Sequence, residues 1–155
     1  MSLLITLLLV VGFVAGWIDP MMGAGLVFFA GAVTHPTAVR DSICNHVVDQ
    51  LDEGTPPGTL VFQTSGDVEV ATLTFSATAF GASSSGTATA NAITSDSSAT
   101  GGTIAKARLK NAAGTDKIIC SVTATGGGGD IELSSVAVSA GQTVSMSSPT
   151  YSAPA

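Results

Sequence analysis

Ile104-Ala105-Lys106-Ala107-Arg108-Leu109-Lys110 decides the fold class of this chain. Ala105, Ala107 and Leu109 fall on one side of an extended backbone, and Lys106, Arg108 and Lys110 on the other. A period of two with a small apolar face and a charged face is the mark of a half-buried strand. Three like charges on one face read either as a basic stripe for an acidic partner or as a solvated sheet face that discourages edge pairing, and the second is preferred.

The same period runs outward in both directions. Leu60 and Phe62 alternate with Val61 and Gln63. Val68, Val70, Thr72 and Thr74 alternate with Glu69, Ala71, Leu73 and Phe75. Thr87 to Ile93 alternates Thr with Ala. Asn111 to Asp116 reads as a hairpin connection, with Gly114 free to take positive φ. Lys117 to Thr123 returns, and Ile131 to Leu133, Val136 to Val138 and Thr143 to Ser148 complete the set. Short strands with regular turn signals predict a mainly β fold, an antiparallel β-sandwich or jelly-roll-like domain over 58–155. Ser83 to Gly86 and Thr94 to Gly102 read as long contact loops. The expected core is thin: Leu60, Phe62, Leu73, Phe75, Phe80, Ile93, Leu109, Ile119, Val122, Ile131, Leu133, Val136, Val138 and Val144. A core of that size is marginal alone, so oligomerisation or docking is expected to supply further burial.

Upstream, 34–57 holds one amphipathic helix and a linker. Val39, Ile43, Val47 and Leu51 recur at intervals of four from Thr37 to Leu51, with Val48 beside them. Thr34 or Thr37 suits the N-cap, and Gly54 with Pro56-Pro57 stops the helix. Residues 1–33 form an apolar N-terminal segment, expected to be helical. Ser2 to Ile18 carries no charge, and a second apolar run spans Met21 to Val33. Three readings stand: a membrane anchor or hairpin turning at Asp19-Pro20, with membrane contact through Leu3 to Val33; a cleaved signal peptide; or an element buried in an assembly, or an extension upstream of the true start. The first run is barely long enough to span a bilayer. No Lys or Arg precedes it, which weakens the signal-peptide reading. Met21 and Met22 are alternative starts.

The chain has 155 residues and a net charge of −6, with a pI near 4.4. That balance argues against nucleic-acid binding, which calls for a basic patch. Cys44 and Cys120 form no CxxC pair and lie near no suitably spaced histidine, so no metal or redox motif exists; they read as separate, partly buried thiols, with a disulfide only in an oxidising compartment. His46 has only His35 for company and reads as a surface residue. No GxSxG occurs, and the β region holds no histidine to serve as a base. Asp67 with Glu69, and Asp130 with Glu132, are the only acidic pairs at strand spacing; both adjoin glycine turns, where exposed carboxylates are ordinary, and neither fits a glycosidase or a calcium loop. Gly126 to Gly129 lacks the GK[ST] of a phosphate loop, and Asp130 after it would repel phosphate. The sequence thus assigns no catalytic residue, no cofactor and no metal ligand.

Ala71-Thr72-Leu73-Thr74-Phe75-Ser76, Ala79-Phe80-Gly81-Ala82, Gly86-Thr87-Ala88-Thr89-Ala90-Asn91-Ala92-Ile93-Thr94-Ser95-Asp96 and Gly141-Gln142-Thr143-Val144-Ser145-Met146-Ser147-Ser148-Pro149-Thr150-Tyr151, taken in order, resemble a family of small tailed-bacteriophage and prophage virion-associated proteins. The likeness reaches upstream to Ala38-Val39-Arg40-Asp41 and Val47-Val48-Asp49-Gln50-Leu51-Asp52, and covers roughly Thr37 to Ala155. It implies a β-sandwich virion component that decorates or cements a capsid, with no catalytic residues to carry over. The N-terminal block departs from that pattern, since the family begins near the helix. The sequence therefore leads to a non-enzymatic virion structural protein, most simply a capsid decoration or stabilising subunit. It would act as a homo-oligomer against the major capsid protein or neighbouring copies. The rival is a membrane-anchored or secreted bacterial surface module on the same fold.

Overall fold

The computed structural model describes residues 34–55 and 57–154. The expectations for the apolar block, a helix and a membrane contact through Leu3 to Val33, lie outside the described residues. Among those that are described, no helix is long and apolar enough to cross a membrane.

One helix, α1 (Thr37–Asp49), opens the unit and tightens into a 3-10 turn over Gln50–Asp52. The strands follow: β1 (Thr59–Gln63), β2 (Glu69–Phe75), β3 (Thr87–Thr89), β4 (Ile93–Thr94), β5 (Gly102–Thr103), β6 (Lys106–Lys110), β7 (Asp116–Ala124), β8 (Ile131–Leu133), β9 (Ala137–Val138) and β10 (Thr150–Ser152). The fold is mainly β. The main sheet is six-stranded in the order β4-β2-β1-β6-β7-β8, with β3 and β10, and β5 and β9, forming two separate ladders. β8 runs parallel to β7, so this sheet is mixed where a purely antiparallel one was expected. The glycine-rich segment after β7 carries the chain back along that strand before pairing begins. Asp130 is bonded to Ser121, and Ile131 then sets off alongside Val122 in the same direction.

The register fixes two faces. Leu60 pairs with Leu73 and with Leu109, and Phe62 with Ala71 and with Ala107. These side chains point inward with Ile118 and Cys120 of β7. Val61, Arg108 and Ile119 share the opposite face. Between Phe62 and Gln63 the β1–β2 ladder shifts, and the extra residue Val70 is itself fully buried. The inner face meets Cys44, Val48 and Leu51 of the helical segment, together with Ala79, Phe80, Ala88, Ala90 and Ala153. Phe75 and Phe80 lie with ring centroids 5.9 Å apart, tilted at 47°.

Other expectations need correction. The helix buries Cys44 and Val48, one residue along from Ile43 and Val47, and Val39 is 43% exposed. Asp41, Asn45 and Asp52 bond loop amides beside that buried stripe, so polarity does not mark the solvent side. Pro36 occupies the N-cap with no side-chain cap bond, in place of Thr34 or Thr37. Ile119 is 62% exposed, because the parity of β7 turns it outward. Thr143 to Ser148 forms no strand: Val144 makes a lone bridge to Asp96, Ser148 turns to φ 49, and the strand is displaced to β10 beyond Pro149. Thr87 to Ile93 likewise breaks into β3 and β4, which join different sheets.

Gly58 lets the chain pass between the helical turn and β6. A Cβ there would run into the carbonyl oxygens of Lys110 and Leu51. Gly58→Ala is therefore expected to lower stability by about 1–3 kcal/mol, through overpacking against backbone. Gly66→Ala, where the nearest atom is 3.9 Å from the added Cβ, should leave stability within about 0.5 kcal/mol. Denaturant unfolding of the two variants checks the contrast; equal effects would show that the close approach at Gly58 carries no weight.

Candidate functional site

The basic stripe of β6 is central to the sheet, flanked by β1 and β7, so its charges guard no edge. Nor are they free for an acidic partner. Lys106 Nζ and Arg108 Nη2 each lie 3.0 Å from Asp67 Oδ1. Arg108 Nη1 lies 2.6 Å from Asp116 Oδ2, and Lys110 Nζ 2.8 Å from Asp116 Oδ1. Arg108 Nε donates to Gln63 Oε1 at 2.6 Å. The cations thus alternate with carboxylates along one lattice on the outer face. Hydrogen bonds from Lys106 and then Arg108 hold the Asp67 carboxyl below its usual range. Asp116 is lowered in the same way, first by Lys110, against opposing desolvation. The lattice is solvent-accessible and screened, so each pair is worth little; its effect is to fix the side chains and offset most of the stripe's charge.

The acidic pairs come apart. Asp67 sits in the β1–β2 turn with φ 63 and serves the lattice, while Glu69 begins β2 and is exposed. Asp130 Oδ2 accepts from the Ser121 amide at 2.8 Å and the Ser121 hydroxyl at 2.7 Å. Glu132 turns into the glycine loop, accepting from the Gly128 amide at 2.8 Å and the Gly126 amide at 3.1 Å. The loop amides that could cradle a phosphate thus hold a carboxylate of the same chain. Those amides also lower the Glu132 carboxyl, as the Ser121 bonds lower that of Asp130. Asp96 follows the same pattern: its oxygens accept from the Thr72 amide at 2.9 Å and the Ser98 amide at 2.9 Å, and both bonds lower it.

Both cysteines are free thiols, Cys44 buried and Cys120 half-buried. Burial pushes the Cys120 thiol up, and the Asp130 charge adds to it, so little of the nucleophilic thiolate form is present. His46 is exposed on the helix, as expected, and His35 precedes it. Among the described residues no group of three or more His, Cys, Asp or Glu is placed to hold a metal ion.

A polar cluster on the helix was missed by the sequence reading. Asp41 Oδ1 accepts from the Gly86 amide at 2.6 Å and from the Ser83 hydroxyl at 3.1 Å. Asn45 Oδ1 accepts from the Ser83 amide at 2.8 Å, and Asp52 Oδ1 from the Ala79 amide at 2.7 Å. The signal was present: Asp41 and Asn45 are four apart, hence on one helix face, and a Ser/Gly loop needing acceptors lies downstream. Ser83 to Gly86, read as a contact loop, is thus pinned to the helix. Comparison with known proteins finds no matching family model, no matching curated protein and no matching solved structure.

Asp67, Asp96, Asp116, Asp130 and Glu132 are paired only in the folded chain, so their pKa values are depressed there. Their contribution is fully present above the unfolded value near pH 4 and is lost as pH falls through the lower folded values. The melting temperature should hold level from about pH 7 to pH 5 and fall below about pH 4. Glu132→Ala should speed hydrogen exchange at the Gly126 and Gly128 amides while leaving the β1 and β2 amides protected. Unchanged exchange in that loop would contradict the carboxylate cap.

Proposed function

We propose that this chain is a non-enzymatic structural subunit of a tailed-bacteriophage particle, a capsid decoration or stabilising protein. It acts as a homo-oligomer that packs against the major capsid protein or neighbouring copies. One observation carries the non-enzymatic part: Asp67, Asp96, Asp116, Asp130 and Glu132 are each committed to an internal amide or cation. A carboxylate held below its normal range by fixed internal donors is a poor general acid or base at neutral pH. With the Cys120 thiol pushed up and Cys44 buried, what remains is a surface that makes contacts. The virion part rests on the ordered segments from Ala71 to Tyr151 and their resemblance to phage virion proteins. The sandwich or jelly-roll layering belongs to this proposal too, as does a partner surface on the outer face with its paired charges. That face exposes Ile119 beside the lattice, with Val68 exposed at the nearby turn. Apolar side chains set among paired charges suit a subunit contact, where the rim is polar and unpaired charge is costly.

Mass-spectrometric inventory of purified particles from the source, with the N-terminus of this polypeptide sequenced, tests the reading. Recovery in many copies per particle is expected. Its absence from particles, with recovery in the cell envelope when no phage genes are expressed, would overturn the proposal in favour of an anchored or exported surface module.

A further inference from the structure

The last strand is held by a strap of contacts and hinged on a strained residue. β10 pairs with β3 in the register Thr150 with Thr89, Tyr151 with Ala88 and Ser152 with Thr87. The Pro149 carbonyl accepts from the Ala90 amide at 2.8 Å, and the Ala153 amide donates to the Gly86 carbonyl at 2.9 Å. The Thr87 and Ser152 hydroxyls lie 2.8 Å apart. The helix holds the same segment: Arg40 Nη2 donates to the Ala153 carbonyl at 3.3 Å and the Cys44 thiol to the Tyr151 carbonyl at 3.5 Å. Ala153 is buried in the common core. The strap therefore has a specific, fully formed seat on α1, the Gly86 turn and β3.

The hinge that delivers it is Ser148-Pro149. Ser148 has φ 49, a left-handed conformation that a residue with a Cβ adopts at a cost. It also precedes proline, whose ring pushes the preceding residue toward extended conformations. Both effects act against the geometry that folds the strap back onto its own chain. Such strain persists only where surrounding contacts over-determine it, and here the strap supplies those contacts.

The geometry points to exchange of the strap between copies of this chain: Pro149 to Ala153 of one copy occupies the α1–β3 seat of another, and Ser148 extends. Every contact of the strap is kept, now between copies, while the two disfavoured terms at Ser148 are released. Exchange of an identical element between copies is a low-cost route to a dimer, and a short strained hinge invites it. The inference deepens the homo-oligomer of the proposed function by naming its joint, but it rests on the hinge and the seat alone. It would stand even if the protein were absent from particles.

The test uses the full chain carrying Thr87→Cys and Ser152→Cys in a Cys120→Ser background. The protein is refolded at concentrations from micromolar to millimolar and then oxidised. The two hydroxyls replaced are in contact, so a disulfide between the introduced thiols reports which copy supplies the strap. Exchange predicts a covalent dimer on non-reducing gels whose share rises with concentration. The cross-link should then map between the β3 and β10 peptides of differently isotope-labelled chains. Association through another surface, the apolar N-terminal block included, would leave the bond within each chain. An intrachain bond alone at every concentration overturns the proposal. Ser148→Gly, which removes the Cβ penalty without touching the seat, should weaken dimerisation about tenfold; an unchanged dimer share would show that the hinge strain does not drive exchange.

Discussion

The unit from Thr34 onward depends on one core shared by the helical segment, the β3–β10 ladder and the inner face of the sheet. Cys44, Val48 and Leu51 share it with alanines from several elements: Ala71, Ala79, Ala88, Ala90 and Ala107 are all buried. Alanine removes little apolar area from water, so at about 25 cal/mol per Å² it contributes modestly by transfer. What it provides is distance. Only a Cβ projects from each of these positions, and most of the interior volume falls to Phe62, Leu60, Leu73 and Leu51. A core built this way is sensitive to added volume and, being small, leaves the unit dependent on its polar ties.

Those ties explain why the chain is poor in chemistry and rich in fixed surface. The loops, and the strand positions Thr72 and Ser121, present amides that side-chain oxygens accept, and amides removed from water need acceptors. Asp41, Asn45, Asp52, Asp96, Asp130 and Glu132 supply them. On the outer face the β6 cations would repel one another, and Asp67 and Asp116 sit where that repulsion is greatest. The same acidic residues that a functional reading would gather into a site are thereby dispersed into structural posts. The result is a face of paired charges and a loop pinned to the helix.

The legible part of the fold was carried by periodicity. Leu60, Phe62, Leu73, Phe75 and Leu109 alternate with other residues along their strands, and the structure buries each of them. The Asn111 to Asp116 hairpin was readable from Gly114, whose φ is 76. The helix was visible and its buried face was legible in part: Leu51 and Val48 are buried and Ile43 packs on the core, while Val39 is exposed and Cys44 was not marked as core. Ile119 looked like core because a bulge near Lys117 resets which residues of β7 face inward. No local pattern announces the parallel β7–β8 pairing or the displacement of the last strand past Ser148-Pro149. Both depend on where a distant segment comes to rest. For the candidate site, the acidic and basic positions were all legible; their pairing was not, since Asp67 meets Lys106 and Arg108 only through the β1–β6 register.

Native-state hydrogen exchange, followed residue by residue as denaturant is raised, tests the claim that helix and sheet share one core. The account predicts that the amides of Val48 and Leu51 open with the same free energy, and the same denaturant dependence, as those of Leu60 and Leu73. Exchange of the helical amides at distinctly lower free energy, with the sheet still protected, would show that the sheet stands without the helix and would contradict the account.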